Sequence, residues 1–325
     1  MKVIALLPTR NEAWVLPHSL ACLSGFCDVI IVNDQNSEDN TREVCRTFPK
    51  VVLLEQSQSV ICGKARWQLW DAARHYDGNN LLWCTDPDEL MSPSLARQFI
   101  ARQGDALVPG TAIECLFYHP PSIDRYRDDT SLYGPYWKPL AAIDDRRMDY
   151  DRNIGLPLHE YRVPFGDGTP IVRAQNFPVL HLQWLIAGHN QMKQAWYRCI
   201  ELLTGRKTPV VINEFYKHSL PWGNVRTAPI PPAWVQDVTF PDMSIDETQS
   251  WQEREVLALF DEHGAEFFER LEIWHIPRLR EEFERRVGRR PKADRSYLPT
   301  WPERAQRFGR RVAAAARRRL APLRQ

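Results

Sequence analysis

Cysteine pairs and long apolar runs are both missing from this sequence. The seven cysteines are odd in number and scattered, with no CxxC spacing, so neither a disulfide framework nor a structural zinc site is predicted. Residues 1–8 are largely apolar, but the chain turns polar at residue 9, which makes this run too short for a signal peptide or a membrane span. We therefore expect a protein of the reducing cytoplasm.

Two phosphate-binding patterns are also absent. The sequence contains neither GxGxxG nor GxxxxGK[ST], which argues against a dinucleotide-dependent oxidoreductase and a P-loop NTPase. Hydrophobic residues make up 43% of the chain and charged residues 26%, as is usual for a globular protein, so general disorder is not indicated. The 325 residues are enough for one large domain with a helical extension.

Charge is unevenly distributed along the chain. The net charge is +1, yet residues 278–325 hold 16 Lys and Arg against 5 Asp and Glu, while the rest holds 26 against 36. This asymmetry indicates either an anionic partner for the C-terminal segment or a segment that folds back on the acidic body.

The first hundred or so residues alternate short β-branched runs with amphipathic stretches. Strands are predicted at residues 3–7, 29–33, 51–55 and 80–85, and helices at about 13–23, 40–48, 64–75 and 94–103. Because parallel strands need helical crossovers, this order predicts a mostly parallel sheet with helices on both faces, an α/β fold. Ligands of such sheets bind outside the carboxyl ends of the strands, so polar residues there are candidate site residues.

The remaining chain is less regular. We predict strands at 111–118 and 179–184, a helix at 190–203, an irregular Pro-rich stretch at 209–241, and helices at 251–263, 265–273, 278–287 and 303–320. These elements suggest a catalytic domain over residues 1–205. A Pro-rich connection and a helical C-terminal annex would follow over residues 206–325.

Two acidic residues follow the fourth predicted strand. Asp86 and Asp88 flank Pro87, and alternate residues of an extended chain point the same way, so both carboxylates can face one point. Mg²⁺ or Mn²⁺ is the natural occupant, since these ions take carboxylate oxygens and substrate phosphates as ligands. The alternative is an acidic cluster at the N-terminus of the next helix, where the helix dipole favours negative charge.

A second polar segment follows the predicted strand at residues 29–33. Asp34 stands where it can accept hydrogen bonds from a base or ribose, whereas residues 37–40 are typical of a helix cap.

These segments resemble family 2 glycosyltransferases of the GT-A fold. The motifs stand in the family's order: residues 8–12 read PTRNE, residues 33–41 follow the second strand, and residues 86–89 read DPDE. The resemblance covers about the first hundred residues. It implies a metal-dependent enzyme, of the hexosyltransferase class, that uses a nucleotide-sugar donor, with a UDP-sugar favoured and a GDP- or dTDP-sugar also compatible. Asn33 stands where the family often has an acid, and that loop has one extra residue, so the donor base stays open.

The resemblance also assigns individual roles. Asp86 and Asp88 would bind the metal and the donor diphosphate, and the following residues would contact the nucleotide: Pro8, Arg10, Asn11, Glu12 and Asp34. Lys64 and Arg66 would lie near the diphosphate at the start of a helix, or simply form its solvent-facing first turn. His181 would be a further metal ligand, or a core histidine.

An inverting enzyme needs a carboxylate that deprotonates the acceptor hydroxyl. Glu160 is favoured, Asp145 is retained beside it, and Glu114 and Asp144 are further candidates. Two tryptophans, Trp137 and Trp184, are candidates for stacking on sugar rings or for the core. Two other classes stay open: a nucleotidyltransferase of related fold, and a non-catalytic nucleotide-sugar-binding protein.

Residues 303–320 predict a basic amphipathic helix, with apolar residues at every fourth position and arginines on most other faces. It would suit an anionic membrane surface carrying a lipid-linked acceptor, or a nucleic acid, or the protein's own acidic body. The acceptor itself stays unidentified and is expected to be a glycan, a lipid-linked molecule, a protein or a nucleic acid.

Overall fold

The structure is a computed structural model that describes residues 1–59, 62–103, 107–129, 134–152, 161–217, 225–242 and 250–292. Glu160 and the helix predicted for residues 303–320 lie outside the described residues. Within these ranges, none of the helices is both long enough and apolar enough to cross a lipid bilayer.

The main sheet has eight strands in the order β3-β2-β1-β4-β8-β6-β9-β5, and a separate antiparallel pair joins β7 and β10. The strands are β1 Val3–Thr9, β2 Val29–Asp34, β3 Val51–Glu55, β4 Leu81–Cys84, β5 Glu89–Leu90, β6 Ala112–Tyr118, β7 Arg125–Arg127, β8 Tyr136–Ile143, β9 Ile171–His181 and β10 Thr227–Pro229. Strands β1 to β4 are parallel, β6 pairs in parallel with β9, and β8 runs antiparallel to both β4 and β6. The predicted α/β class with a mostly parallel sheet is confirmed.

The helices of the described ranges alternate with the first strands as predicted. They are α1 Leu16–Ser24, α2 Thr41–Arg46, α3 Cys62–Ala73, α4 Pro93–Gln103, α5 Ala187–Leu203, α6 Pro209–Tyr216, α7 Trp251–His263 and α8 Pro277–Val287. Two of them begin at hydroxyl caps, because the Thr208 and Ser250 side chains accept hydrogen bonds from the backbone N–H groups of Val211 and Glu253.

Both faces of the sheet are covered, which explains why β1 is a continuous apolar run. Val3, Ala5 and Leu7 pack in one buried cluster with apolar residues of α1, whereas Ile4 and Leu6 pack in another with residues of α3. A strand that alternates its side chains between two buried faces needs apolar residues at every position.

The chain divides into two compact units. The first comprises Met1–Ile186 and Asn224–Ile245, and the second comprises Ala187–Gly223 and Asp246–Gln325. The described part of the second unit has its own core, formed by apolar residues of α5 to α8. The boundary predicted between residues 205 and 206 falls inside the second unit, and the division into folding domains stays a prediction.

Several predictions of local structure are wrong. Strand β8 forms between the predicted strands at 111–118 and 179–184, where no strand was predicted. Strand β9 begins at Ile171 and ends at His181, where a 3-10 turn replaces the predicted strand end. Helix α6 forms in the stretch predicted to be irregular, because its proline occupies the first helical turn, where no N–H is needed. The helix predicted at 265–273 is a short 3-10 turn, Ala265–Phe268.

Gly25, at the end of α1, allows α1 and α4 to approach closely. A Cβ atom added there would lie 2.5 Å from Cβ of Pro93, whereas one added at Gly166 would meet nothing within 4 Å. We expect Gly25→Ala to destabilise the protein by about 1–3 kcal/mol, since an overpacked site shifts its neighbours. Urea unfolding followed by circular dichroism measures this, with Gly166→Ala as the matched control. Equal unfolding midpoints for the two variants would contradict the packing described.

Candidate functional site

Polar residues gather at one edge of the main sheet. Strands β1, β2 and β4 end there. Strand β8 lies between β4 and β6 and is antiparallel to both, so β6 and its parallel neighbour β9 also end at this edge. Since β8 is antiparallel, it begins at this same edge with Tyr136 opposite Phe117. Short strand β5 brings Glu89 opposite His181, the last residue of β9. This carboxyl edge therefore collects side chains from distant parts of the sequence.

Asp86, just after β4, is held by two arginines. Arg66 of α3 donates to its Oδ1 at 2.6 Å, and Arg162 donates to its Oδ2 at 2.6 Å. Both arginines are buried, whereas the Asp86 side chain keeps 26% of its surface exposed. The Asp86 carboxylate thus has an ionic partner at each oxygen.

Glu89 is fully buried beside Asp86 and is also saturated. Its carboxylate accepts hydrogen bonds from the Thr85 hydroxyl at 2.9 Å, the Asp86 backbone N–H at 3.0 Å and the Arg162 guanidinium at 2.7 Å. A second N–H of Arg162 bonds the other oxygen of Glu89. Arg162 therefore bridges two carboxylates that would otherwise repel each other.

These contacts control the ionisation of Asp86. Burial alone raises the pKa of the Asp86 carboxyl, but Arg162 and Arg66 together outweigh burial and hold that pKa well below its ordinary value. The stabilisation is therefore fully present above the ordinary carboxyl pKa of about 4 and is lost as the pH falls through the depressed folded-state pKa. Asp86 is thus anionic at neutral pH even without a metal ion.

Asp88 turns toward a different partner. Its carboxylate Oδ2 lies 3.4 Å from Nε2 of His181, and both side chains are largely buried. Nδ1 of His181 is also buried and has no hydrogen-bond partner among the described residues. Two ligands in adjacent octahedral positions around an ion at about 2.0–2.2 Å stand roughly 3 Å apart, close to the separation seen here.

Among the residues that the structure describes, no three His, Cys, Asp or Glu side chains form a group that could hold a metal ion. Asp88 and His181 would therefore supply two ligands to a metal ion. This suits an ion that completes its coordination with water and substrate phosphates, as Mg²⁺ and Mn²⁺ do at phosphate-binding sites.

Asp34, at the end of β2, is fully buried. Its Oδ2 accepts hydrogen bonds from Nε of Arg42 at 2.5 Å and from the backbone N–H of Ser37 at 3.1 Å. Its Oδ1 has no partner within the described ranges, and neither does the buried hydroxyl of Thr9, which lies opposite Asp34 in the β1–β2 pair. One oxygen is thus fixed while the other remains an unused acceptor.

The segment after β1 is tied to the segment after β2. Asn11 has a positive φ of 54°, and its Oδ1 accepts from the backbone N–H of Glu38 at 2.7 Å. The backbone N–H of Glu12 donates to Thr41 at 3.0 Å, while Nη1 of Arg10 reaches Ser59 at 3.4 Å. Asn11 and Glu12 therefore help to build this loop, and Pro8 lies within β1 beside it.

The other predicted site residues divide between the edges. Lys64 is exposed on α3, in contrast to buried Arg66. Asp144 and Asp145 follow β8 and lie at the opposite edge, where Asp144 pairs with Arg74 and Asp145 accepts from the backbone of Arg147 and Met148. The structure thus does not bring Asp145 to the other site residues, since β8 runs away from the carboxyl edge.

Three further candidates already have neighbours. Glu114 accepts from Nε of Arg173 at 3.0 Å, and the Arg173 guanidinium lies 5.4 Å from the Trp137 ring centroid. The Trp184 ring lies 5.7 Å from the guanidinium of Arg127. These arrangements are those of packed side chains, and the sugar-stacking roles stay predictions.

Two basic residues of the site were missed by the sequence analysis. Arg162 and Lys138 follow no recognisable motif, and Arg162 reaches Asp86 from 76 residues away. The one available signal was the three acids within residues 86–89, which require cationic partners if they are buried but do not show which residues supply them.

We expect Arg162→Met to lower the free energy of unfolding by about 3–5 kcal/mol, because it leaves Glu89 a buried charge without its partner. Arg147→Met is the matched control, since the Arg147 side chain is 89% exposed. Chemical denaturation at neutral pH measures both variants, and a loss in Arg162→Met no larger than in the control would contradict the bridging role.

Comparison with known proteins gives one family match. Residues 5–117 match the family model described as "Glycosyl transferase family 2". A search of curated proteins found no match.

Several solved structures align with part of the chain. S. aureus TarS is 19% identical over 37% of this chain and 22% of its own, with a TM-score of 0.28. TarS 1–349 in complex with UDP-GlcNAc is 18% identical over 37% and 35%, with a TM-score of 0.29. Glucosyl-3-phosphoglycerate synthase from Mycobacterium tuberculosis, in complex with Mn²⁺, UDP-Glc and phosphoglyceric acid, is 16% identical over 36% and 44%, with a TM-score of 0.28.

The chain spans less than half the length of each of these solved chains. The resemblance predicted from the three motifs is confirmed by the family match, which contains all of them. Over residues 5–117 this protein is thus similar to glycosyl transferase family 2.

Proposed function

We propose that the protein is a glycosyltransferase that depends on a divalent metal ion and transfers a hexosyl group from a nucleotide-sugar donor to a glycan or lipid-linked acceptor. The family match over residues 5–117 supports the reaction class. The observation that carries metal-dependent donor binding is the pair of Asp88 and His181, at the same sheet edge as the unused oxygen of Asp34.

The metal ion would be held by Asp88 and His181 and would offset the charge of the departing nucleoside diphosphate. An imidazole ligand makes Mn²⁺ the better fit, because Mg²⁺ takes mainly oxygen ligands. Asp86 can join only if Arg66 or Arg162 releases one of its oxygens, since both are engaged in ion pairs. We therefore assign direct coordination first to Asp88 and His181, and keep Asp86 as a contact to the donor through its arginines.

The unused oxygen of Asp34 favours a base with a ring N–H. Uracil, thymine and guanine each carry such a donor, whereas the corresponding ring nitrogens of adenine and cytosine are acceptors. This supports a UDP-sugar, with dTDP- and GDP-sugars as the other compatible donors. Asp34 is fully buried, so a base reaches Oδ1 only if neighbouring side chains move.

The acceptor side is less defined. Glu160 stays the predicted base, and the basic segment at residues 303–320 stays the predicted contact with a lipid-linked acceptor at a membrane or with another anionic partner. Of the alternatives Glu114, Asp144 and Asp145, Glu114 lies on a strand that runs toward the carboxyl edge, but it is already paired with Arg173.

The reaction class is tested by incubating the purified protein with UDP-, GDP- and dTDP-sugars and Mn²⁺. We expect slow, metal-dependent release of one nucleoside diphosphate. Release of pyrophosphate from a nucleoside triphosphate would instead indicate a nucleotidyltransferase, and an absence of metal-dependent nucleotide binding would contradict the proposal.

Asp88→Asn tests the metal site itself. We expect it to weaken Mn²⁺-dependent binding of the donor nucleotide by more than about 100-fold, since loss of even an outer partner of a metal ligand costs about 10–100-fold. Calorimetry with and without Mn²⁺ measures this. Asp71→Asn is the matched control, because the Asp71 side chain on α3 is 48% exposed and pairs with Arg152. Retained metal-dependent binding in a folded Asp88→Asn protein would remove the assignment.

A further inference from the structure

Lys138 brings a third cation to the carboxyl edge. It lies in β8 opposite Cys115, and its Nζ is 5.3 Å from the centroid of the Phe117 ring. The guanidinium carbon of Arg162 is 5.7 Å from the same centroid. Two positive side chains therefore share one aromatic ring in a largely buried place.

The neighbouring carboxylates are already occupied. Asp86 has an arginine at each oxygen, and Glu89 is saturated by Arg162, Thr85 and a backbone N–H. Within the described ranges Nζ of Lys138 forms no ion pair or hydrogen bond. The cluster of Arg66, Lys138 and Arg162 thus has one positive charge more than Asp86 and Glu89 neutralise.

The surroundings resist this extra charge. Burial and the Arg162 guanidinium lower the pKa of Lys138 to about 8, although Glu89 and Asp86 act in the opposite direction. Nε of Arg162, in a side chain only 3% exposed, is a second donor without a hydrogen-bond partner among the described residues. Two unused cationic donors close to one aromatic ring form a site that a bound anion would stabilise.

We propose that Lys138 and Arg162 form a phosphate-binding site, in which Lys138 neutralises a phosphate group of a substrate. This rests on the proposed function and extends it, because Lys138 lies beyond the segment 5–117 that the family match covers. The phosphate belongs either to the donor diphosphate or to a phosphorylated acceptor. In both cases Arg162 holds the site together through Asp86 and Glu89 while Lys138 supplies the charge that those acids leave free.

The test uses Lys138→Met, with Lys138→Arg as the charge-preserving variant. Lys2→Met is the matched control, because Nζ of Lys2 also lies over a ring, 5.1 Å from the Tyr76 centroid, but at the opposite sheet edge. Calorimetry measures the binding of inorganic pyrophosphate, of UDP or GDP with Mn²⁺, and of inorganic phosphate to the nucleotide-loaded protein. Circular dichroism checks folding, and Lys138→Gln replaces Lys138→Met if that variant does not fold.

We expect Lys138→Met to weaken the binding of at least one of these anions by about 10-fold or more, which is the cost of a lost charge-assisted hydrogen bond. The affinities of Lys138→Arg and Lys2→Met should stay near those of the wild type. A loss with pyrophosphate and the nucleoside diphosphate identifies the donor as the source. A loss confined to inorganic phosphate on the loaded protein identifies a phosphorylated acceptor.

Wild-type affinity of a folded Lys138→Met protein for all three anions would overturn the proposal, and so would a wild-type protein that binds none of them. A wild-type protein that binds pyrophosphate but neither nucleotide, with the pyrophosphate lost in Lys138→Met, would keep this phosphate site and contradict the proposed function instead.

Discussion

Three carboxylates lie within four residues just after β4, and their negative charges have to be balanced by neighbouring groups. The arrangement of the site follows largely from the groups that do this. Asp86, Asp88 and Glu89 are each partly or wholly withdrawn from water, where an unpaired charge is costly. Arg162 bridges Asp86 and Glu89, Arg66 completes Asp86, and His181 faces Asp88. Segments of the first unit that are remote in sequence are thereby fixed around one short turn.

The acids differ in the kind of partner, because Asp86 and Glu89 pair with arginines whereas Asp88 lies beside a histidine. Glu89 has both oxygens bonded and serves to hold Arg162. Asp88 has Nε2 of His181 at 3.4 Å, a separation close to that of two ligands in adjacent positions around one ion. An unused buried atom alone is not diagnostic, because Gln252 in the second unit also lacks partners for both amide atoms. The functional reading depends on several such atoms meeting at one sheet edge.

The sequence was sufficient to place the residues that follow parallel strands. Asp34 and Asp88 could be assigned to one edge because apolar runs and crossover helices define the direction of β1 to β4 without knowledge of their order. The antiparallel strand β8 could not be oriented this way. Its reversal carries Asp144 and Asp145, which were candidate site residues, to the far edge and brings Lys138 to the near edge. The contact of Arg162 with Asp86 could not be predicted for a related reason, since only the tertiary fold brings these residues together.

The central claim is that Asp88 and His181 share one metal ion, and a crystal structure of the protein grown with Mn²⁺ and UDP tests it most directly. The account predicts an anomalous manganese peak at about 2.0–2.3 Å from both the Asp88 carboxylate and Nε2 of His181, with phosphate oxygens completing the coordination. A nucleotide bound with no manganese between these two side chains, or manganese bound elsewhere, would contradict it.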